Sequence, residues 1–144
     1  MELTPKTEYA LLALMALIDG SAQGKAMKVN QITAQHGAIP ERYLEQILLV
    51  LRRGGIIKSI RGARGGYLLA REPQSISLLE VVSLLNGSQN APGETTSVSP
   101  EQSAIHQVWE QIHQTTRTTL DQTTLQDLWD RSDRHRSSSP MYYI

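Results

Sequence analysis

GGIIKSIRGARGGYLLA, residues 54–70, contains two short runs of β-forming residues on either side of a turn. The first run covers residues 56–60 and the second covers residues 67–70, and the six residues between them are arginine, glycine and alanine only. Two such runs around a glycine-containing turn indicate a β-hairpin. Because glycine lets the backbone approach a surface closely, Arg61 and Arg64 at the tip can reach a partner molecule.

Two helices are predicted in the first part of the chain. Thr4-Pro5 suits the start of a helix, since Thr can cap free backbone N–H groups and Pro is tolerated at the first helical position. Apolar residues then recur at helical spacing until Asp19-Gly20, where this helix is expected to end. A short second helix is expected to begin with Asn30 as its cap and to end at Gly37.

A third predicted helix lies directly before the hairpin, from Pro40 to Gly54-Gly55, and has two different faces. Its apolar face is formed by Tyr43, Leu44, Ile47, Leu48 and Leu51. Its polar face carries Arg42, Glu45, Gln46 and Arg53. An amphipathic helix buries its apolar stripe and exposes the other side, so these polar side chains are candidates for ligand contacts.

The chain after the hairpin predicts a fourth helix, a loop and a long fifth helix. Ser77 caps the fourth helix, residues 78–86, whose buried side is expected to be Leu79, Val82 and Leu85. Residues 88–100 are polar and predict a flexible loop. The long helix follows Ser99-Pro100 and carries a wide apolar face formed by Ile105, Val108, Trp109 and Ile112. This face is expected to be buried either in the same chain or against a second copy.

The end of the chain predicts one more short helix and a tail. Leu120, Leu125, Leu128 and Trp129 indicate the helix, and residues 130–140 are polar and rich in Ser and Arg, which predicts disorder. The predicted organisation is therefore a folded unit at residues 1–86, a loop at 87–100, the long and terminal helices at 101–130 and a polar tail at 131–144.

Composition limits the classes of protein that fit this chain. Its 144 residues are about one domain, and a mean hydropathy of -0.31 argues against a membrane protein. The absence of cysteine excludes disulfides, thiolate zinc sites and cysteine-ligated iron–sulfur clusters. No signal peptide is expected, because the longest apolar run, residues 9–18, is short and has acidic flanks. The expected compartment is the cytoplasm.

The net charge of zero hides two halves of opposite sign. Residues 1–71 carry ten basic and five acidic side chains, a net charge of +5, whereas residues 72–144 carry four basic and nine acidic ones, a net charge of −5. Residues 42–71 alone have seven basic side chains and one acidic one. A segment this basic favours an anionic partner.

Two short helices joined by a tight turn and followed by a basic hairpin describe a winged helix-turn-helix. The predicted fold is mainly α with a small β-hairpin, and a long C-terminal helix follows it. The N-terminal end of the third helix suits the major groove of double-stranded DNA, where Arg42 can pair with guanine and Glu45 can accept from cytosine. Gln46 can reach adenine or only water. Phosphate or minor-groove contacts are expected from Asn30, Arg52, Arg53, Arg61, Gly62 and Arg64.

Two other functions fit parts of the same pattern. A phosphate loop of a nucleotide enzyme needs a helix after the glycines and a Lys-Ser/Thr ending, but residues 67–69 predict a strand. No catalytic triad motif is recognisable, so the chain is not expected to be an enzyme. A protein-interaction adaptor that keeps the fold without specific DNA binding is the alternative, with the acidic C-terminal half as its partner site.

Several short motifs together resemble the Rrf2 family of bacterial transcription regulators. They are Leu3-Thr4-Pro5-Lys6, Tyr9-Ala10-Leu11, Ile39-Pro40, Tyr43-Leu44-Glu45-Gln46-Ile47, Gly55-Ile56-Ile57, Ser59-Ile60-Arg61-Gly62, Gly65-Gly66-Tyr67, Ile76-Ser77-Leu78 and Glu80-Val81-Val82. The resemblance covers residues 1–86 closely and the later helices more loosely. It implies a homodimer on a palindromic operator, with the third helix in the major groove and the wing in the minor groove. It also implies that the long helix, with Ile105, Val108, Trp109 and Ile112, forms the dimer.

The chain differs from many members of that family ahead of the long helix. Those relatives hold an iron–sulfur cluster with three cysteines there, some with a histidine three residues after the last cysteine, and the equivalent stretch here includes Ser103 and His106. One imidazole cannot replace several ligands, so no cofactor is predicted and His106 is expected to be a surface histidine rather than a metal ligand. The effector is left open as a small molecule, a partner protein or a cluster held by ligands other than cysteine.

Overall fold

The computed structural model describes residues 3–87 and 99–137. Within these ranges the protein is mainly helical with one small hairpin, as predicted. The elements in chain order are α1 (Pro5–Ala22), α2 (Val29–Gln35), α3 (Glu41–Arg53), β1 (Ile57–Ile60), β2 (Gly66–Leu69), a short 3-10 turn (Pro73–Ser75), α4 (Leu78–Asn86), α5 (Pro100–Gln122) and α6 (Leu125–Ser137). None of the helices in the described part of the chain has the length and hydropathy needed to cross a lipid bilayer.

Three of the predicted helix starts are confirmed by side-chain caps. The hydroxyl oxygen of Thr4 accepts a hydrogen bond from the backbone N–H of Thr7 at 3.2 Å, and the Oγ of Ser77 and of Ser99 accept from the third residue of α4 and of α5, both at 3.1 Å. Each of these bonds satisfies one of the N–H groups that a helix start leaves without an intrahelical partner.

The predicted start of α2 and the predicted end of α1 were wrong. Lys28 is the N-cap of α2, and its backbone N–H donates to the Oε1 of Gln31 at 2.7 Å, so Asn30 lies inside the helix instead of capping it. Helix α1 continues through Gly20 to Ala22. Gly20 lies where the next loop packs closely against α1, since a Cβ there would lie 2.6 Å from the carbonyl oxygen of Lys25.

The core lies between α1, α3, α4 and the base of the hairpin. On α3 four residues of the predicted stripe, Leu44, Ile47, Leu48 and Leu51, are buried, whereas Tyr43 is half-buried. On α4 the prediction was wrong in part, because Val81 and Leu85 are buried whereas Leu79 and Val82 are half-buried. Helix α4 contacts α1, α3 and α5 at once, so its apolar residues are shared among several surfaces and do not form one stripe.

The hairpin is antiparallel, and it is tied to the loop between α1 and α2. Ile57 pairs with Leu69 and Ile60 pairs with Gly66. Met27 extends the sheet by a single bridge to Tyr67. The hairpin β1–β2, which is the wing of the winged helix-turn-helix, is therefore attached to the loop before α2 as well as to the end of α3.

The predicted polar tail was wrong for residues 131–137, because α6 continues to Ser137. The start of α6 is fixed by the core: Leu125 is fully buried, and its N–H donates to the carbonyl of Ile76 at 2.9 Å. The ring of Trp129 packs against the core, and the guanidinium of Arg136 lies over that ring at 5.0 Å. Residues 88–98 of the predicted loop, and residues 138–144 of the tail, lie outside the described residues.

Candidate nucleic-acid interface

The first turns of α3 present three polar side chains to solvent. Arg42, Glu45 and Gln46 are all exposed, as predicted from the helical period. Next to Arg42, the ring of Tyr43 meets the ring of Tyr9 edge-on, with centroids 5.8 Å apart and an interplanar angle of 87°. Such an aromatic contact adds to the buried apolar face in holding this end of α3 against α1. The three polar side chains therefore project from a fixed helix.

The other end of α3 carries two arginines, both exposed. The Nη1 of Arg52 donates to the Oγ of Ser59 on β1 at 3.5 Å, so this guanidinium spans the junction between α3 and the hairpin. Arg53 makes no ion pair with any carboxylate of the described residues. Basic side chains at a helix end are suited to the phosphate backbone, since they carry charge without reading sequence.

The tip of the hairpin is an exposed basic turn. Arg61, Gly62, Ala63 and Arg64 are all exposed, and the N–H of Gly65 donates to the carbonyl of Gly62 at 2.9 Å to close the turn. Gly62 has a φ of 109°, which L side chains rarely adopt. Neither arginine forms an ion pair with a carboxylate in the described part of the chain, so both guanidinium groups are available to an anion.

Asn30, which is also a predicted DNA contact, lies across a groove from the wing. Asn30 and Arg64 both line this groove, whose volume is about 630 Å³. Two lysines that sequence reasoning did not single out, Lys25 and Lys28, line it as well. Their signal was present only in the charge count of the basic half, because it is the fold that brings the α1–α2 loop against the hairpin.

The long helix α5 carries an apolar face that the described residues leave uncovered. Ile105, Val108, Trp109 and Ile112 are 58%, 51%, 59% and 48% exposed, and no residue of α5 is buried. Burial of this stripe within the described part of the same chain, which the sequence left open, therefore does not occur. A contiguous exposed apolar face of this kind is typical of an interaction surface.

The residues present do not fit a cysteine-ligated cluster. The chain contains no cysteine, and His106 is exposed on α5 while Ser103 is half-buried. In the described ranges no three His, Asp or Glu side chains come close enough together to hold a metal ion. The described residues therefore offer no ligand set for such a cluster.

Comparison with known proteins agrees with this geometry. The chain matches the Rrf2 family, described as iron-dependent transcriptional regulators, over residues 3–131. It is similar to the HTH-type transcriptional regulator CymR of Bacillus subtilis, with 33% identity over 144 residues and full coverage of both chains. Its fold is similar to the solved structure of CymR (YrzC), the global cysteine regulator of B. subtilis, with a TM-score of 0.78, 30% identity and coverage of 91% of this chain and 98% of the other.

A second solved structure, T. potens IscR, has the same TM-score of 0.78 at 28% identity and covers 100% of this chain and 97% of its own. The family match covers most of the chain, and the relatives are transcriptional regulators and not enzymes. Together with the winged helix-turn-helix and the absence of cysteine, these matches identify the protein as an Rrf2-family transcriptional regulator that lacks the cluster-binding cysteines.

Proposed function

We propose that this regulator binds a palindromic operator as a homodimer and reads it with α3. The observation that carries the proposal is the exposed first part of α3, where Arg42, Glu45 and Gln46 project from a helix whose other face is buried. Helices of this kind enter the major groove with their N-terminal residues at the base edges. The basic wing supplies the charge that holds a phosphate backbone.

The three side chains divide the proposed base reading between them. Arg42 donates bidentately to a guanine, Glu45 accepts from a cytosine amino group, and Gln46 pairs with an adenine. The wing enters the minor groove with Arg61, where Gly62 keeps the backbone close, and Arg64, Arg52, Arg53 and Asn30 contact phosphates. Sequence preference then depends on α3, and overall affinity depends on the basic side chains around it.

The second copy is proposed to cover the apolar face of α5. Ile105, Val108, Trp109 and Ile112 are about half exposed in one chain, and burial of such a face against its symmetry mate gives the commonest kind of oligomer, a twofold dimer. A dimer of winged helices presents two copies of α3 to half-sites about one helical turn apart, roughly 34 Å. The twofold symmetry of the protein is the reason to expect a palindrome.

The effector is proposed to act without a cysteine-ligated cluster, in the cytoplasm where the DNA lies. A visible absorption spectrum of protein purified without oxygen tests this part of the proposal. We expect no band that bleaches in air, and such a band with bound iron would show that other ligands hold a cluster. A small molecule or a partner protein is then the effector.

Selection of bound sequences from a random duplex pool tests the proposal as a whole. We expect a palindromic consensus, and fluorescence-anisotropy titration of that sequence should show an affinity that falls as salt rises. The adaptor alternative predicts no consensus and no salt-sensitive binding, together with co-purification of a protein partner. Recovery of non-palindromic single sites bound by a monomer would contradict the dimer.

A further inference from the structure

The groove between the α1–α2 loop and the wing is lined by donors from three parts of the chain. Lys25 and Lys28 come from the loop and its junction with α2, Asn30 and Gln31 from the first turn of α2, and Arg64 from the wing. All five side chains are exposed, and no acidic residue lines the groove. Three positive charges around one concave surface, without a carboxylate to neutralise them, raise the local concentration of anions.

The loop side of this groove is held in place by backbone contacts. The N–H of Lys25 donates to the carbonyl of Gly20 at 2.7 Å, which fixes the loop against the end of α1. Two residues later, Met27 and Tyr67 exchange hydrogen bonds in both directions, at 3.0 and 2.7 Å. Because the same loop is bonded to the helix and to the hairpin, Lys25, Lys28 and Arg64 start from backbone positions that are fixed relative to one another.

Gln31 adds to the donor character of the groove. Its Oε1 already accepts from the backbone N–H of Lys28 at 2.7 Å, so the part of the side chain left for a ligand is mainly the NH₂ group. The groove therefore offers ammonium, guanidinium and amide donors. This set matches a phosphate group, whose oxygens only accept when it is fully ionised.

We propose that this groove seats a phosphate of the DNA backbone, held between Lys25 and Lys28 on the loop and Arg64 on the wing. The inference rests on the proposed function and adds two residues to the interface. A volume of about 630 Å³ is in the range of sites that hold a small organic molecule, so a sugar-phosphate segment fits. Contact with one phosphate from two sides holds the wing and α2 on the same DNA strand. This contact fixes the position of α3 along the major groove of the DNA.

Removal of single charges tests the proposal. Lys25→Gln, Lys28→Gln and Arg64→Gln are measured by fluorescence anisotropy on the selected operator and on an unrelated duplex of equal length, each over a series of salt concentrations. Each variant should weaken binding to both duplexes by the same factor and leave their affinity ratio unchanged. The slope of log K against log salt should become shallower by about 0.9 for each phosphate that the variant no longer neutralises.

A double variant tests whether the groove holds one phosphate. If Lys28 and Arg64 share a phosphate, the loss in Lys28→Gln/Arg64→Gln should be smaller than the product of the two single losses. Arg131→Gln is the matched control, because it removes one exposed charge from α6, outside the groove. The urea concentration at the midpoint of unfolding should be the same for all variants and the wild type, since the replaced side chains are exposed.

The outcomes separate this inference from the proposed function. If the wild type binds DNA in a salt-sensitive way and both lysine variants have the same affinity and the same salt slope as the wild type, the inference is overturned and the proposed function stands. A changed affinity ratio would overturn it too, because it would assign base reading to these side chains. Inorganic phosphate could compete with DNA more strongly than sodium chloride does at equal ionic strength. If it does so while the lysine variants bind DNA like the wild type, the groove holds a free anion and not the DNA backbone. Absence of DNA binding by the wild type would overturn both.

Discussion

Met27 and Tyr67 are joined by two backbone hydrogen bonds, although they lie on opposite sides of α2 and α3 in the sequence. The contact adds one bridge to a two-stranded hairpin that has no other neighbour in the described sheet. An isolated two-stranded hairpin is only marginally stable in water. The bridge to the α1–α2 loop, together with the packing of Leu68 and Leu69, therefore stabilises the wing in one position.

Substitution of Gly66 is expected to break this contact. Gly66 has a φ of 138°, and a Cβ there would collide with the backbone of Met27, including its carbonyl oxygen. Gly66→Ala should lower the free energy of unfolding by roughly 2–4 kcal/mol, because backbone strain adds to a clash that no side-chain rotation relieves. Urea denaturation followed by circular dichroism measures this loss.

Gly62→Ala is the control for strain alone. Gly62 also has a positive φ, 109°, but no heavy atom lies within 4 Å of the position of an added Cβ. The expected loss is about 1–2 kcal/mol, from strain without a clash. Equal losses in the two variants would mean that the contact with Met27 contributes nothing to stability.

Glu45→Ala is expected to change which base is preferred at one position of each half-site. The carboxylate is exposed on α3, and its loss removes an acceptor for cytosine, which is worth about 1–3 kcal/mol of discrimination. Arg61→Ala should instead weaken binding to all sequences, because a wing cation acts on the backbone or the minor groove. Anisotropy titrations with single-base variants of the operator distinguish the two effects.

The matched control for Glu45 is Glu101→Ala, which removes an exposed carboxylate from the first turn of α5. It should leave the base preferences of the wild type in place. If Glu45→Ala keeps them as well, α3 does not read the operator through this residue.

Ile112→Asp is expected to convert the protein to a monomer. Ile112 is 48% exposed and lines a shallow depression of about 280 Å³ on α5 with Val108 and Gln111. A carboxylate at this position would be buried by the second copy without a counter-charge from Ile105, Val108 or Trp109, and unpaired buried charges are strongly unfavourable. Sedimentation velocity should show the halved mass, and operator affinity should fall because the two half-sites are no longer bound together.

Gln107→Asp is the control on the same helix. By the helical period of 3.6 residues, Gln107 lies on the side of α5 opposite Ile105 and Ile112. It should leave the mass unchanged. A wild-type protein that sediments as a monomer, or an Ile112→Asp protein that remains a dimer, would contradict the assignment of this face.

The sequence predicted those parts of the fold that depend on local pattern. The stripe Leu44, Ile47, Leu48 and Leu51 repeats at helical spacing, and Ser77 and Ser99 stand where caps are needed, so α3, α4 and α5 were placed correctly. The glycine and arginine turn likewise identified the hairpin. In each case the residues that fix the element lie within a few positions of one another.

The features that sequence reasoning missed depend on contacts that the local pattern of residue types does not show. Asn30 has the right chemistry for a cap, but Lys28 is the N-cap, and its backbone N–H donates to the side chain of Gln31. Lys25 and Lys28 line a groove with Arg64 because Met27, which lies between them in the sequence, pairs with Tyr67 of the hairpin. The start of α6 was predicted from Leu125 and Trp129, which meet a core built by the rest of the chain, but residues 130–137 were predicted as a tail because all of them are polar.

Helix α6 is therefore expected to stabilise the DNA-binding unit, and Leu125→Ala tests this. Leu125 is 0% exposed, and its backbone N–H donates to Ile76 while the N–H of Leu78 donates to Thr123. Leu125→Ala should lower the free energy of unfolding by about 2–5 kcal/mol, because the shorter side chain loses buried contacts and leaves a cavity. The two flanking hydrogen bonds keep this cavity from collapsing. Leu120→Ala, at a half-buried site near the end of α5, should cost less than half as much. If urea denaturation gives equally small losses of unfolding free energy for both variants, α6 folds against the core without stabilising it. The expected larger loss in Leu125→Ala would make the α5–α6 junction part of the same cooperative unit as α1, α3 and the wing.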